Sequence, residues 1–342
     1  MPVGSRIRRL KDRLAGLGFL PQAGAGLEGL RTENGVTVDM VVRSGQENPD
    51  SAIGVYAGDP ESYRLFAPLL DPIISGYHQY AASAAPSRNL DPRDLAVTNL
   101  DPSGERILST RIRVGRNLKG YAFSPAITAE ARRGLERTIV DALGSLTGDL
   151  AGTYYPLADM DEATRAQLVS DHFLFKQGDR FLESAGINRD WPEGRGIFVS
   201  ADTRFSAWVN EEDELRIISM QPGADLLAVF ERLARAVQSL EQLLPFAYDE
   251  RLGYLNSCPT NLGTALRASF HLALPGLSKR SDFKELCLSL GLEARGVDGE
   301  HSEPEGGVCD ISNRRRLGIN EVEAVQALHD GTKRLLELEQ ES

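Results

Sequence analysis

The sequence has few residues of the kinds that bind metals or form disulfides. It contains five histidines and three cysteines, Cys258, Cys287 and Cys309, in 342 residues. The cysteines form neither a C-x-x-C pair nor an even set, which favours a reduced, cytoplasmic setting. No H-E-x-x-H motif and no Cys/His cluster is present, so the sequence predicts no metal ion held by the protein itself.

Long apolar runs and an excess of positive charge are also lacking. No stretch approaches the roughly 18 apolar residues that a membrane-spanning helix needs. The net charge of −11 argues against nucleic acids and anionic membranes as partners, because binding to either needs a basic surface. With 41% hydrophobic residues, the chain is expected to be globular and long enough to form two domains.

Patterns along the chain predict a change of architecture. Residues 1–80 hold helix-compatible segments broken by glycine-rich turns, and residues 81–94 are small and polar, as in a linker. Residues 95–342 alternate short strands with amphipathic helices, which predicts a mixed or antiparallel sheet. The predicted strands are 106–114, 196–200, 215–220, 265–274, 292–296 and 308–312, and the best predicted helices are 129–146, 225–244 and 320–339.

Residues 258–264 (CPTNLGT) are unusual for a connecting segment. The thiol of Cys258 is followed by a proline that fixes φ, and then by Thr260 and Asn261, whose short side chains form hydrogen bonds. The segment closes with Gly-Thr before a predicted strand. This composition indicates a site.

Arginines in the predicted strands indicate an anion-binding surface. Alternation along a strand places Ser109, Arg111 and Arg113 on one face. A buried guanidinium needs an anionic partner, and its geometry matches phosphate oxygens. A triphosphate is therefore the expected ligand. Three further arginines lie in apolar predicted strands: Arg216, Arg267 and Arg295.

Two acidic segments are candidates for binding a cation. Residues 211–214 (EEDE) adjoin a predicted strand, and residues 299–307 (GEHSEPEGG) form a glycine-rich loop. Such runs are commonly solvated turns. A planar guanidinium, however, can bind two carboxylates from distant segments, and the glycines would let the second loop close as a lid that excludes water.

Together these segments resemble the motifs of the phosphagen kinases, the ATP:guanidino phosphotransferases. The matching segments are 258–264, 109–113 (STRIR), 208–213 (WVNEED) and 295–301 (RGVDGEH), and the similarity extends over about residues 44–335. The resemblance implies an α+β fold, with a small all-α N-terminal domain (1–80) followed by a large domain (95–342) in which an antiparallel β-sheet is flanked by α-helices.

The implied reaction is reversible transfer of the ATP γ-phosphate to the guanidino group of L-arginine, giving ADP and phosphoarginine for energy buffering. Such an enzyme is a phosphotransferase with a nitrogenous acceptor, acts as a monomer or homodimer, and uses Mg²⁺ bound through the ATP phosphates. Ala52, Val297 and Asp298 depart from the usual arginine-specific pattern. Taurocyamine, creatine or a protein arginine are therefore alternative acceptors, and a non-catalytic adenylate sensor is an alternative of another class.

The resemblance also implies roles for individual residues. Glu212, Glu300 and Cys258 would be catalytic and contact the guanidino group. An unperturbed Glu, with a pKa of about 4.3, is poorly matched to a guanidinium, so the two carboxylates would mainly orient it. Cys258 would be a thiolate stabilised by the substrate cation. Asp50 and Arg180 match an inter-domain ion pair. Residues matching the ATP site are Ser109, Arg111, Arg113, His172, Arg216, Arg267 and Arg295, and those of the substrate loop 50–57 are Ser51, Ile53, Gly54 and Tyr56.

Overall fold

The computed structural model describes residues 26–80, 86–170, 173–175, 177–296 and 306–341. A small helical N-terminal part precedes a large part in which an eight-stranded antiparallel sheet is flanked by helices. The α+β fold expected from the sequence is therefore confirmed. The boundaries of the two domains and of the linker stay predictions.

Residues 26–80, the described portion of the N-terminal part, contain three helices that bury apolar side chains. Helix α1 (Val38–Glu47) is capped by Thr37, whose side chain accepts from the Met40 N–H, and it buries Val38, Val41 and Val42. Such i, i+3, i+4 spacing places side chains on one side of a helix. Helices α2 (Ser62–Leu65) and α3 (Ala67–His78) follow, and α3 ends where Gln79 adopts a left-handed conformation.

The sheet of the large part is antiparallel throughout, in the order β2-β3-β4-β5-β1-β8-β10-β9. All six predicted strands are present to within a few residues. The sequence patterns missed the short strands β2 and β4. The eight strands are β1 (Ile107–Arg116), β2 (Gly152–Pro156), β3 (Gly196–Ser200), β4 (Phe205–Val209), β5 (Leu215–Pro222), β8 (Leu266–Ala273), β9 (Leu292–Arg295) and β10 (Val308–Asn313).

The three long helices predicted from periodicity are present. They are α4 (Ala129–Gly144), α7 (Leu226–Glu241) and α9 (Glu321–Gln340), and each is capped by a polar side chain at its N-terminus. Capping residues accept backbone N–H groups that would otherwise lack partners. The remaining elements are α5 (Glu162–Ser170), α6 (Arg180–Ser184), α8 (Phe283–Ser289) and a small hairpin of β6 (Tyr248–Asp249) and β7 (Gly253–Tyr254).

Two of the three buried apolar clusters in the described residues are large; the third is a small one around Leu157, Leu174, Phe175 and Ile197. The larger one joins sheet residues such as Ile112 and Val114 with Phe230 and Leu233 of α7. Since alternate residues of a strand face opposite ways, the apolar face of β1 leaves its other face to Ser109, Arg111 and Arg113. The second cluster joins the N-terminal helices to the large part and includes Phe66, Leu69, Ile73, Leu252, Leu255, Leu262 and Leu317. No helix within the described ranges is long and apolar enough to cross a membrane.

Candidate functional site

Four of the predicted arginines meet on neighbouring strands. Strand β1 lies between β5 and β8. Arg113 of β1 is directly opposite Arg267 of β8, and Gly115 of β1 is opposite Arg216 of β5. Arg111 lies two residues before Arg113, on the same face of β1. The sheet therefore concentrates cationic side chains at its centre.

Burial and like charge oppose the charged form of two of these arginines, Arg111 and Arg113. Burial and then the charges of Arg267 and Arg216 lower the pKa of Arg111 to about 10. Burial and then the charges of Arg216 and Arg111 hold the pKa of Arg113 well below its ordinary value. Both effects disfavour the charged form. An anion bound between the strands would reverse both effects.

Carboxylates neutralise only part of this charge. Arg216 forms ion pairs of 2.5 Å with Glu211 and 3.2 Å with Glu212, and Arg267 pairs with Asp310 at 2.8 Å. Arg295 on β9 is the strand partner of Asp310 and pairs with Glu293 at 3.1 Å. Among the described residues, no ion pair involves Arg111 or Arg113. Their positive charge is therefore not neutralised by an ion pair in this part of the chain.

Trp208 on β4 supports the cluster from the side. Its ring lies 5.6 Å from the guanidinium of Arg111 and 5.5 Å from that of Arg216, distances at which cation–π attraction operates. The indole N–H donates to the carbonyl oxygen of Phe173 at 2.7 Å. Phe173 adjoins His172, a predicted nucleotide contact that lies outside the described residues.

Residues 258–264 bring the thiol to the acidic segment. Cys258 precedes a 3₁₀ turn (Pro259–Asn261), and its sulfur lies 3.1 Å from the hydroxyl of Thr260. The side-chain amide of Asn261 donates to Glu212 at 3.0 Å. Because Glu212 also pairs with Arg216, the thiol segment and the arginine cluster meet at one carboxylate. Glu300, the second predicted guanidino-binding carboxylate, lies outside the described residues.

The carboxylates at the β4–β5 turn are more perturbed than the sequence suggested. Burial, followed by the charge of Asp213, raises the pKa of Glu212, whereas Arg216 lowers it. The comparison of a guanidinium with an unperturbed Glu therefore does not describe Glu212, which is half-buried beside other acids. Burial also raises the pKa of Glu214 well above its ordinary value, although its carboxylate accepts the Leu118 N–H at 2.6 Å.

Asp213 was not predicted as a site residue, yet its carboxylate holds the backbone that leads into Cys258. Its Oδ1 accepts from the Ser257 N–H and from the Asn117 side chain, both at 3.1 Å. Ser257 immediately precedes Cys258. An aspartate in an acidic run carries no sequence signal for this contact, because both donors lie far from it in the chain.

The predicted substrate loop reaches the same segment from the N-terminal part. The loop is anchored to α1 by bonds from Gly45 N to Gly54 O (2.8 Å) and from Tyr56 N to Val41 O (3.0 Å). The Ala57 N–H, at the end of the loop, donates to the Ser257 carbonyl at 2.7 Å. Within the loop, Ser51, Ile53 and Gly54 are buried and Tyr56 is half-buried.

The predicted ion pair of Asp50 with Arg180 and the unusual alanine at position 52 are both in described parts of the chain. Asp50 and Arg180 form a two-pronged ion pair, with one oxygen–nitrogen distance of 2.9 Å. In the substrate loop only Gly54 has positive φ, at 70°. Ala52 is not among the described residues with positive φ, so alanine at this position introduces no backbone strain.

Comparisons with known proteins agree with this geometry. Residues 134–342 match the ATP:guanido phosphotransferase C-terminal catalytic domain, and residues 24–75 match the N-terminal domain of the same family. The catalytic-domain match alone covers more than half of the chain.

The chain belongs to the ATP:guanido phosphotransferase family.

Relatives within this family include arginine kinases of two animals. The Anthopleura japonica arginine kinase is 52% identical over 323 residues, which are 93% of this chain and 45% of the relative. The Limulus polyphemus arginine kinase is 49% identical over 311 residues, which are 90% of this chain and 87% of the relative. This chain therefore spans less than half of the first protein and most of the second.

A solved structure of the family has the same fold. The duplicated taurocyamine kinase from Schistosoma mansoni, with bound transition state analog components, superposes with a TM-score of 0.88 at 41% identity. The match covers 98% of this chain and 46% of that one. The family fold is thus shared across members whose names give different guanidino substrates.

Proposed function

We propose that this chain is an arginine kinase, which transfers the γ-phosphate of ATP reversibly to the guanidino group of L-arginine. One observation carries the proposal. The arginine cluster, whose positive charge the described carboxylates neutralise only in part, is joined to residues 258–264 through Glu212, which pairs with Arg216 and accepts from Asn261. The first feature suits a triphosphate and the second suits a guanidinium. Relatives named arginine kinase, at 52% and 49% identity, support arginine as the acceptor.

The arginines act on the nucleotide. Arg111 and Arg113 bind phosphate oxygens, and Arg216 and Arg267 add positive charge from the neighbouring strands. His172, Ser109 and Arg295 complete the nucleotide site, as their match to the family motifs implies. Because the cations are already in place, the protein does not reorganise when charge spreads over the transferred phosphoryl group, and this lowers the barrier to transfer.

The guanidino group lies on the other side of the transferred phosphate. Glu212, with Glu300 from the 299–307 loop, orients the planar group so that one nitrogen faces the phosphorus in line. The raised pKa of Glu212 brings its basicity closer to that needed to accept a proton as the P–N bond forms. Cys258 contacts the same cation, and Ser51, Ile53, Gly54 and Tyr56 bind its amino-acid end.

Mg²⁺ enters with ATP, because phosphate oxygens and water are its preferred ligands. Its chemistry is to neutralise charge on the phosphates. In the parts of the chain that the structure describes, no group of three or more His, Cys, Asp or Glu side chains could hold a metal. The residues present thus fit a cation held mainly by the nucleotide. Glu211 and Glu212 form ion pairs with Arg216 of the cluster. These two carboxylates are the candidates to orient the water ligands of the Mg²⁺ ion.

Phosphorus NMR tests the reaction directly. Incubation of the purified protein with Mg-ATP and L-arginine is expected to give a new, acid-labile P–N signal together with ADP, and added ADP is expected to reverse it. Omission of arginine controls for ATP hydrolysis. Absence of the signal would overturn the assignment to arginine.

Taurocyamine is the second candidate acceptor, because the solved structure of that name matches 98% of this chain. Parallel reactions with taurocyamine, creatine and an arginine-containing peptide distinguish the acceptors. A P–N signal from taurocyamine alone would keep the enzyme class and replace the substrate. No signal with any acceptor would contradict the kinase assignment altogether.

A further inference from the structure

Every backbone carbonyl from residue 256 to 261 accepts a hydrogen bond. Three of the donors come from the N-terminal part of the chain. The Tyr63 hydroxyl donates to Asn256 O at 2.6 Å, the Ala57 N–H to Ser257 O at 2.7 Å, and His78 Nε2 lies 2.8 Å from Pro259 O. The backbone on both sides of the thiol is thus held by another part of the fold.

His78 is suited to be a permanent donor. It is the last residue of α3 and only 5% exposed. Burial lowers its pKa to about 4, with a further lowering from the charge of Arg316, so the imidazole is neutral at physiological pH. A carbonyl oxygen can only accept, which places the single ring proton on Nε2. The ring also packs against Tyr77, with 4.9 Å between centroids.

The Pro259 carbonyl is the group through which His78 can hold the start of residues 258–264. Proline has no N–H, so its carbonyl is its one strong backbone hydrogen-bonding group. The far end of the same 3₁₀ turn is fixed by Asn261, whose side chain donates to Glu212 and accepts from Arg316. Loss of the His78 bond would leave the Pro259 carbonyl with only a 3.4 Å bond from the Leu262 N–H. The residue that follows Cys258 would then be held less firmly, while Ser257 before it stays bonded to Asp213 and Ala57.

We propose that His78 is a positioning residue, which holds the Pro259 carbonyl through Nε2 and thereby places the Cys258 thiol against the guanidino substrate. The proposal rests on the function proposed above, since it takes Cys258 to face the substrate. It makes α3 a further route, beside the Ala57 and Tyr63 bonds, by which the N-terminal part sets the geometry of residues 258–264.

A matched pair of variants isolates the hydrogen bond. His78→Gln places an amide N–H near the position of Nε2, whereas His78→Met has a similar length and no donor. His78→Met is expected to raise the KM for arginine and lower kcat about tenfold, because a small misplacement of reacting groups has large effects on rate. The Kd for ATP is expected to stay within about twofold of wild type, since the arginine cluster is untouched. His78→Gln is expected to restore most of the activity.

Thiol alkylation gives a readout that does not depend on turnover. Cys287 and Cys309 are fully buried, whereas Cys258 is half-buried, so iodoacetamide reports on Cys258 in the native protein, with Cys258→Ser as the blank. In His78→Met the loosened turn is expected to expose the thiol and speed alkylation about threefold or more. His78→Gln is expected to react like wild type. Ile73→Val, in the buried face of α3, controls for general loosening of this helix.

The possible outcomes distinguish a failure of the proposed arginine kinase function from a failure of the positioning role of His78. If wild type lacks activity on arginine, the proposed function fails, yet the alkylation rates still decide whether His78 places Cys258. A His78→Met variant with a lower Tm but unchanged alkylation rate and unchanged KM for arginine would overturn the positioning role. The same conclusion would follow if Ile73→Val speeds alkylation as much as His78→Met does.

Discussion

At the scale of single residues, the site is defined by charges that the fold does not neutralise. Arg111 and Arg113 are half-buried beside Arg216 and Arg267, and their pKa values fall because burial and like charge both oppose the cationic form. Such a grouping of like charges is destabilising unless a counter-charge is present. A multiply charged anion, as proposed above, would supply that counter-charge at the open face of β1.

Glu212 provides a test of the guanidino side of the site. Glu212→Gln keeps an oxygen that can accept from Asn261 but removes the charge that attracts a guanidinium. The kcat/KM for arginine is expected to fall by about 100-fold or more, equivalent to about 3 kcal/mol of transition-state stabilisation. ATP affinity is expected to change by less than about threefold. Steady-state kinetics and nucleotide titration measure the two quantities.

Glu214 supplies the matched control for this prediction. It lies two residues further on and is fully buried, and burial raises its pKa well above the ordinary value. Glu214→Gln keeps an oxygen that can accept from the Leu118 N–H, lies away from the arginine pairs of Glu211 and Glu212, and is expected to retain activity. Equal losses in Glu212→Gln and Glu214→Gln would show that the acidic turn acts as a structural unit and would remove the specific assignment of Glu212.

Some of these residues could be predicted from the sequence and others could not. Alternation in β1 predicted which side chains share the face of Arg111, because a buried strand face requires apolar residues at every second position. The contacts of Asp213, Tyr63 and His78 with residues 256–259 carry no such pattern. Each joins a side chain to a backbone N–H or carbonyl, and such a group has no residue type by which a sequence could mark it.

At the scale of elements, the turn 258–264 owes its shape to a close approach of two backbones. Gly263 has φ of 84°, and a Cβ at this position would overlap the carbonyl oxygen of Arg316 and lie 2.6 Å from Leu317 Cα. Its N–H and carbonyl both bond across the turn, to Leu252 O and from Tyr254 N, each at 2.8 Å. The glycine that closes the segment is therefore needed for packing as well as for conformation.

Gly263→Ala is expected to destabilise the protein strongly. The positive φ alone costs about 1–2 kcal/mol for alanine, and the overlap with the Arg316 backbone raises the expected loss of unfolding free energy above about 3 kcal/mol. Gly120→Ala is the control, because Gly120 has φ of 93° with nothing within 4 Å of a Cβ. Urea unfolding of both variants measures the difference, and equal losses would show that the overlap is relieved without penalty.

The strands that the sequence patterns missed show where periodicity fails. Strand β2 (GTYYP) is five residues long, lies at the edge of the sheet and is bounded by glycine and proline, so it contains too few alternations to be recognised. Strand β4 (FSAWV) is also only five residues long. The acidic residues 211–214 follow it closely, and they have the composition of a turn. Both strands are defined by pairing with β3, which is a property of the assembled sheet.

At the scale of the whole molecule, residues 26–80 of the helical N-terminal part share their core with the large part. Phe66, Leu69 and Ile73 belong to the same buried cluster as Leu252 and Leu262 of the large part. Polar contacts cross the same boundary at Ala57, Tyr63 and His78. Composition predicted a change of architecture near residue 80, but it could not predict that the two parts would share apolar residues far apart in the chain.

A shared core predicts that the two parts unfold together. Leu69→Ala removes apolar volume from the N-terminal side of the cluster, where Leu69 is fully buried, and is expected to lower the free energy of unfolding by about 2–5 kcal/mol. Both tryptophans, Trp191 and Trp208, lie in the large part. Their fluorescence should nevertheless lose its native signal at the same lower urea concentration as the helical signal in circular dichroism, because one cooperative transition moves all probes together.

Leu108→Ala is the control for this experiment, since Leu108 is 48% exposed on β1 and its truncation is expected to leave the midpoint nearly unchanged. Two separate transitions in Leu69→Ala, with the tryptophan signal unaffected by the mutation, would mean that the N-terminal part melts on its own. The hydrogen bonds from Ala57, Tyr63 and His78 would then be too weak to couple it to residues 256–259. A single transition at a lower urea concentration would instead mean that the same interactions that fold the chain also hold the substrate loop (50–57) against residues 258–264.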